Sequence, residues 1–85
     1  MSVEVVLYTG AGCGLCGEAL RVLELQREPL GFDLRVVDIT GDAELEDRYR
    51  EQIPVVEVDG RRAFKYRVDP AELRRRVLAA SQTGR

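Results

Sequence analysis

The stretch Val3-Glu4-Val5-Val6-Leu7-Tyr8-Thr9-Gly10-Ala11-Gly12-Cys13-Gly14-Leu15-Cys16-Gly17 joins an apolar, β-branched run to a glycine-rich pair of cysteines, and the fold follows from that junction. Residues 3–8 (VEVVLY) are apolar almost throughout, which predicts a strand buried on both faces and therefore central in its sheet. The glycines that follow cannot prolong a strand. They lead into EALRVLELQRE, where Leu15, Ala19, Val22 and Leu23 share one helical face, and Pro29 with Gly31 is expected to end that helix.

Residues 32–39 (FDLRVVDI) begin by alternating, with Asp33 and Arg35 turned away from Phe32, Leu34 and Val36, as in a strand at a sheet edge. Strand, helix and strand in that order imply a right-handed crossover and a parallel pair. Residues 42–52 then read as a short polar helix, with Asp42 as N-cap and Leu45 and Tyr49 on one face. Two further strands, 55–58 and 62–68, flank Asp59-Gly60, the dipeptide best suited to the positive φ angles of a type I′ hairpin. Asp69, Pro70 and Glu72 supply an N-cap, a proline at the first helical position and a capping-box acid, opening a helix through about residue 80. The resulting order is βαβαββα, an α/β arrangement. No repeat, low-complexity tract or linker divides residues 1–85, which read as one domain with only residues 81–85 expected to fray.

Hydrophobic residues make up 45% of the chain and charged residues 33%, the balance of an ordinary globular protein. Thirteen basic and fifteen acidic residues leave a net charge of −2, which gives no reason to expect nucleic acid or an anionic membrane as partner. Residues 1–8 carry neither a basic leader nor a small-residue cleavage site, so a cytoplasmic, reducing location is expected, and no stretch is long enough to span a bilayer. The sequence has no His and no Asn, which removes imidazole catalysis, imidazole metal ligands and N-glycosylation from consideration.

In a reducing compartment a cysteine pair is more often redox-active or metal-binding than structural. Cys13-Gly14-Leu15-Cys16 sits where a strand ends and a helix starts, so the unsatisfied N–H groups and the positive end of the helix dipole favour a thiolate at Cys13. Cys16, three residues on, faces the same way but deeper, where apolar surroundings keep it protonated. Cys13 is thus the candidate nucleophile and Cys16 the candidate resolving thiol. A ring closed over so few residues would restrict the unfolded chain little, so a purely structural staple gains little stability. Zinc prefers four Cys or His ligands, and the chain offers two cysteines and no histidine. Ile53-Pro54 stands at the start of the third strand, where a proline cannot donate to the ladder; its spacing alone reads as a turn.

With Tyr8-Thr9 before the C-x-x-C, Ile53-Pro54 before a strand, and a hairpin and last helix after it, the whole chain resembles glutaredoxins within the thioredoxin superfamily. It is most similar to small bacterial glutaredoxin-like proteins whose motif reads cysteine, a variable residue, leucine, cysteine. The resemblance implies a thioredoxin fold, a four-stranded mixed sheet flanked by helices, and a cis Pro54 opposite Cys13. It also implies a substrate-binding set of Tyr8, Gly12, Gly14, Leu15, Ile53 and Pro54, with the backbone at Ile53 hydrogen bonding to an extended substrate. The Cys13-Cys16 pair would itself be the redox group, with no metal or other cofactor. Protein disulfides or a small thiol would be the substrates, and glutathione or a thioredoxin-reductase-type enzyme the reductant of a monomer. The pattern departs from glutaredoxins at Gly10, where a lysine is usual, at Gly14-Leu15 in place of proline and tyrosine, and at residues 64–67 (FKYR) in place of a glycine pair. These departures weigh against efficient use of glutathione. Two other functions fit the same residues: a non-catalytic thioredoxin-fold module binding a protein partner, and an iron-sulfur or metal carrier that dimerises through Cys13 with an added thiol.

Overall fold

Val5, Val6 and Leu7 leave their strand no polar face to turn to water, so it takes an interior place in a sheet. In the computed structural model, which describes residues 3–83, β1 (Glu4–Thr9) lies between β2 (Asp33–Asp38) and β3 (Val55–Val58). It pairs parallel with β2 and antiparallel with β3, and β3 pairs antiparallel with β4 (Arg61–Lys65), giving the order β2-β1-β3-β4. Helices α1 (Gly14–Leu30), α2 (Ala43–Tyr49) and α3 (Pro70–Thr83) complete the expected βαβαββα order.

Cross-strand register decides which face each apolar residue serves. Val5 stands opposite Val58 and Leu7 opposite Val56, and all four join Ala19 and Leu23 of α1 and Leu73 and Val77 of α3 in the larger core. The alternate positions, Tyr8 opposite Val55, turn to the other face, where Ile39, Leu45, Tyr49 and Ile53 pack. Strand alternation thus divides one apolar run between two cores.

Local chemistry sets most boundaries. Asp59 and Gly60 adopt φ angles of 50° and 84°, the two positive values that a type I′ turn demands, and β3 and β4 fold back at that point. Asp42 caps α2 by accepting a hydrogen bond from the Leu45 N–H at 3.1 Å. Asp42→Ala is expected to lower stability by about 0.5–2 kcal/mol, read as a lower urea midpoint at unchanged slope, with Asp42→Asn close to wild type. An Asn variant as weak as the Ala variant would show that the cap bond contributes nothing.

Several details differ from expectation. Helix α1 runs through Pro29 to Leu30, and Gly31 caps it by donating its N–H to the Arg27 carbonyl. Pro29 and Leu25 both lie on the solvent side, where the carbonyl that the proline leaves unbonded can be hydrated. Val36 shares the larger core's face with Leu34, yet it is 47% exposed, because β2 has a neighbour on one side only. Strand β4 stops at Lys65 instead of residue 68: Tyr66 turns to φ 72° and the ladder ends. Glu72 does not fold back as a capping-box acid, since Arg75 and Arg76, one turn on, both bind its carboxylate and hold it below the usual glutamate range. Of the residues expected to fray, 81–83 continue α3, while 84 and 85 lie outside the described residues.

Candidate functional site

Gly12, at φ 76°, supplies the left-handed turn that carries the chain from the loop after β1 into α1. Cys13 follows as the N-cap of α1, with extended backbone, and Cys16 lies in the first turn. Cys13 and Cys16 are joined as a disulfide, with their Cα atoms 5.4 Å apart. Cys13 is half-buried, whereas Cys16 is 5% exposed. An outside sulfur can therefore approach Cys13 but not Cys16. When the pair is reduced, an N-cap thiolate lies where the orphan N–H groups of the first turn converge, and no acidic residue stands in that turn to oppose its charge. Gly14 and Gly17 add no side chain to this surface; a Cβ at either would meet nothing within 4 Å.

The loop that carries Cys13 is tied to the end of β2. The Ala11 N–H donates to Thr40 Oγ1 at 2.9 Å, and the Thr40 N–H donates to Asp38 Oδ1 at 2.9 Å. That backbone bond, helped by the Thr40 side chain, holds the Asp38 carboxyl below the ordinary carboxylate range. Gly10 has a steric reason to be glycine: a Cβ there would stand 3.0 Å from Ile53 Cδ1 and 3.4 Å from Ile39 Cγ1. Gly10, Ala11, Ile39, Thr40, Arg50 and Ile53 border a cleft of about 130 Å3 beside the cysteine loop. A larger hollow of about 450 Å3 runs along α2 between Ala43 and Gln52; it shares Glu46 and Arg50 with that cleft but includes neither cysteine.

The expected binding residues thus occupy different settings. Gly12 and Gly14 are exposed, and Leu15 is half-buried beside the disulfide in α1. Ile53 borders the cleft, and its N–H donates to the Tyr49 carbonyl at 3.0 Å. The Ile53-Pro54 peptide bond is cis, and Pro54 is fully buried. Tyr8 is stacked on Tyr49, ring centroids 4.4 Å apart, in the core beneath α2. Burial, followed by the Glu57 carboxylate and Tyr49, pushes its phenol above the usual range.

Sequence reasoning missed Thr40 and Tyr66. Thr40 reaches Ala11 across 29 positions, and no local pattern announces such a bond. Tyr66 donates its N–H to the Pro54 carbonyl at 2.8 Å and its phenol to the Glu51 carbonyl at 3.0 Å. A positive φ at a bulky residue costs about 1–3 kcal/mol and was not readable from the residues FKYR. Among the described residues, no three His, Cys, Asp or Glu side chains gather as a metal-binding group, and no helix is long and apolar enough to cross a membrane.

A mixed four-stranded sheet flanked by helices, with a C-x-x-C disulfide opening the first helix, defines a thioredoxin-like fold. Within that class, the chain belongs to the glutaredoxin-like domain family (DUF836), whose profile matches residues 4–78. An uncharacterized protein of Mycobacterium tuberculosis is 34% identical over 76 residues, spanning 84% of this chain and 78% of the relative. The X-ray structure of a structural-genomics target protein from X. campestris superposes with a TM-score of 0.73 at 30% identity, over 89% of this chain and 97% of that one. Thioredoxin from Trypanosoma brucei brucei shares the fold at a TM-score of 0.66 and 20% identity, over 95% of this chain and 76% of that one.

Proposed function

We propose that the protein is a thiol-disulfide oxidoreductase in which Cys13 is the nucleophile and Cys16 the resolving thiol. The observation that carries this reading is the asymmetry of the disulfide: Cys13 caps the helix and is accessible, and Cys16 is buried beneath it. In the reducing direction the Cys13 thiolate attacks one sulfur of a substrate disulfide, forming a mixed disulfide and releasing one substrate thiolate, which takes up a proton. Cys16 then loses its proton and attacks Cys13 Sγ. The Cys13–Cys16 bond forms, the mixed disulfide breaks, and the second substrate thiol leaves. Two electrons pass from the protein dithiol to the substrate, and an external thiol reductant must return them.

A protein disulfide or a small disulfide suits the open approach over Gly12 and Gly14. Glutathione or a reductase would restore the dithiol of a monomer in a reducing cytosol. The departures at Gly10 and Tyr66 favour a reductant other than glutathione, because Gly10 offers no cation and Tyr66 adds bulk.

Alkylation tests the assignment. In reduced protein at neutral pH, Cys13 is expected to react with iodoacetamide roughly tenfold or more faster than Cys16, because a helix-capping thiolate is populated where a buried thiol is not. Peptide mapping by mass spectrometry reads both rates, and equal, slow modification of the two would sink the proposal.

A further inference from the structure

Ala11 stands between two glycines, Gly10 and Gly12, in the loop that delivers Cys13 to the start of α1. Glycines on both sides leave such a loop many backbone states. The last backbone bond between β1 and β2 runs from the Ile39 N–H to the Thr9 carbonyl at 2.8 Å. In a parallel ladder the next rung would join the Ala11 N–H to the Ile39 carbonyl. That carbonyl instead takes the Asp42 N–H at 3.0 Å, and the Ala11 N–H goes to Thr40 Oγ1 at 2.9 Å. A hydroxyl replaces the missing rung.

The two ends of this bond differ in stiffness. On the Thr40 side, its own N–H donates to Asp38 Oδ1 at 2.9 Å and the Gly41 N–H donates to Glu46 Oε2 at 2.8 Å. Ile39 beside it is 2% exposed, and Asp42 begins α2 as its cap. The linker from β2 to α2 is therefore a fixed post, whereas the Ala11 side has glycine at both neighbours. Ala11 is exposed, so water is available to satisfy its N–H, and what the bond adds is place. Cys13 lies two residues beyond Ala11, across the left-handed Gly12.

We propose that Thr40 is a positioning residue: its hydroxyl anchors the loop of residues 10–12 so that Cys13 stands at the N-cap of α1, where the N–H groups of the first turn stabilise its thiolate. The inference rests on the disulfide-exchange reading and adds to it a group from outside the cysteine motif that tunes the nucleophile.

Thr40→Val keeps the branched shape at an exposed position and removes the acceptor. In reduced protein, the rate of Cys13 alkylation by iodoacetamide is followed by peptide mapping from acid to alkaline pH. Below the inflection of this profile, Thr40→Val is expected to react roughly two- to tenfold more slowly than wild type, the range of one lost hydrogen bond. At the alkaline plateau, where the thiol is ionised in either protein, the rates should agree within about twofold, so the inflection moves to higher pH. Thr40→Ser, which keeps the hydroxyl, should follow the wild-type profile. The Ala11 amide should exchange its hydrogen faster in Thr40→Val and at the wild-type rate in Thr40→Ser.

A Thr40→Val profile that superimposes on wild type, or one lowered equally at every pH, overturns the anchor. A Thr40→Ser variant as slow as Thr40→Val also overturns it. Should wild-type Cys13 prove no more reactive than Cys16, the exchange reading fails, and the anchor is judged by the Ala11 amide alone. Faster exchange in Thr40→Val but not in Thr40→Ser would then support it, and any other pattern would overturn it.

Discussion

Cys13→Ser is expected to bring disulfide reduction down to the uncatalysed rate, a loss on the order of a thousandfold or more, while Cys16→Ser performs the first half of the reaction and then stalls. The two variants differ because the two sulfurs occupy different environments. A serine hydroxyl at position 13 is not ionised near neutral pH, so the helix N-terminus has no anion to stabilise and nothing to attack with. Cys16 cannot take over the role, since it is buried at 5% exposure behind the N-cap. In Cys16→Ser the accessible Cys13 thiolate still attacks, but no second thiol arrives to break the mixed disulfide. The substrate stays attached. Multiple-turnover assays should therefore fail for both variants, whereas non-reducing electrophoresis and intact-mass analysis should find covalent adducts on Cys16→Ser and none on Cys13→Ser. Adducts of equal yield on both would contradict the assigned roles. A Cys13→Ser, Cys16→Ser double variant that retains a protein partner at full affinity would instead favour a binding module built on the same fold.

The parts of this molecule that were legible in the sequence are those whose cause lies within a few residues. Asp59-Gly60 makes its turn by the φ angles the two residues accept, and Asp42 caps α2 with its own side chain. The unbroken apolar character of Val5, Val6 and Leu7 places β1 inside the sheet, whatever its neighbours are. The cysteine pair was legible for the same reason, since its setting at a helix start is written in the glycines on either side. Features set by distant neighbours were not readable. Glu72 had a local role as a capping acid, yet two arginines one turn on compete for it and win. Gly10 reads as a lost cation by comparison with glutaredoxins, but its neighbours Ile53 and Ile39 arrive from 43 and 29 positions away and would crowd a Cβ. Tyr66 ended a strand expected to continue to residue 68, because its two hydrogen-bond acceptors belong to the segment after α2. The candidate site is therefore a local chemical motif held in a long-range frame.

That frame depends on Leu7, and Leu7→Ala is expected to cost about 2–5 kcal/mol. Leu7 has no exposed surface; it stands between Val36 on β2 and Val56 on β3, on the face covered by α1 and α3. Removing most of its side chain forfeits burial and leaves a cavity that two packed strands and two helices cannot easily close. A domain of this length has a total stability near the low end of about 5–15 kcal/mol, so the loss takes a large share of it. At roughly 4–8 °C per kcal/mol for a domain of this size, the melting temperature should fall by about 8–40 °C. Leu25→Ala is the control, since that leucine is 66% exposed and its loss should stay within about 0.5 kcal/mol. Equal destabilisation by the two substitutions would mean that the core is not organised around β1. The same experiment separates frame from chemistry, because Leu7 lies outside the cysteine loop. Turnover by Leu7→Ala should fall in step with the folded fraction as temperature rises, while the rate per folded molecule, measured well below the transition, stays near wild type.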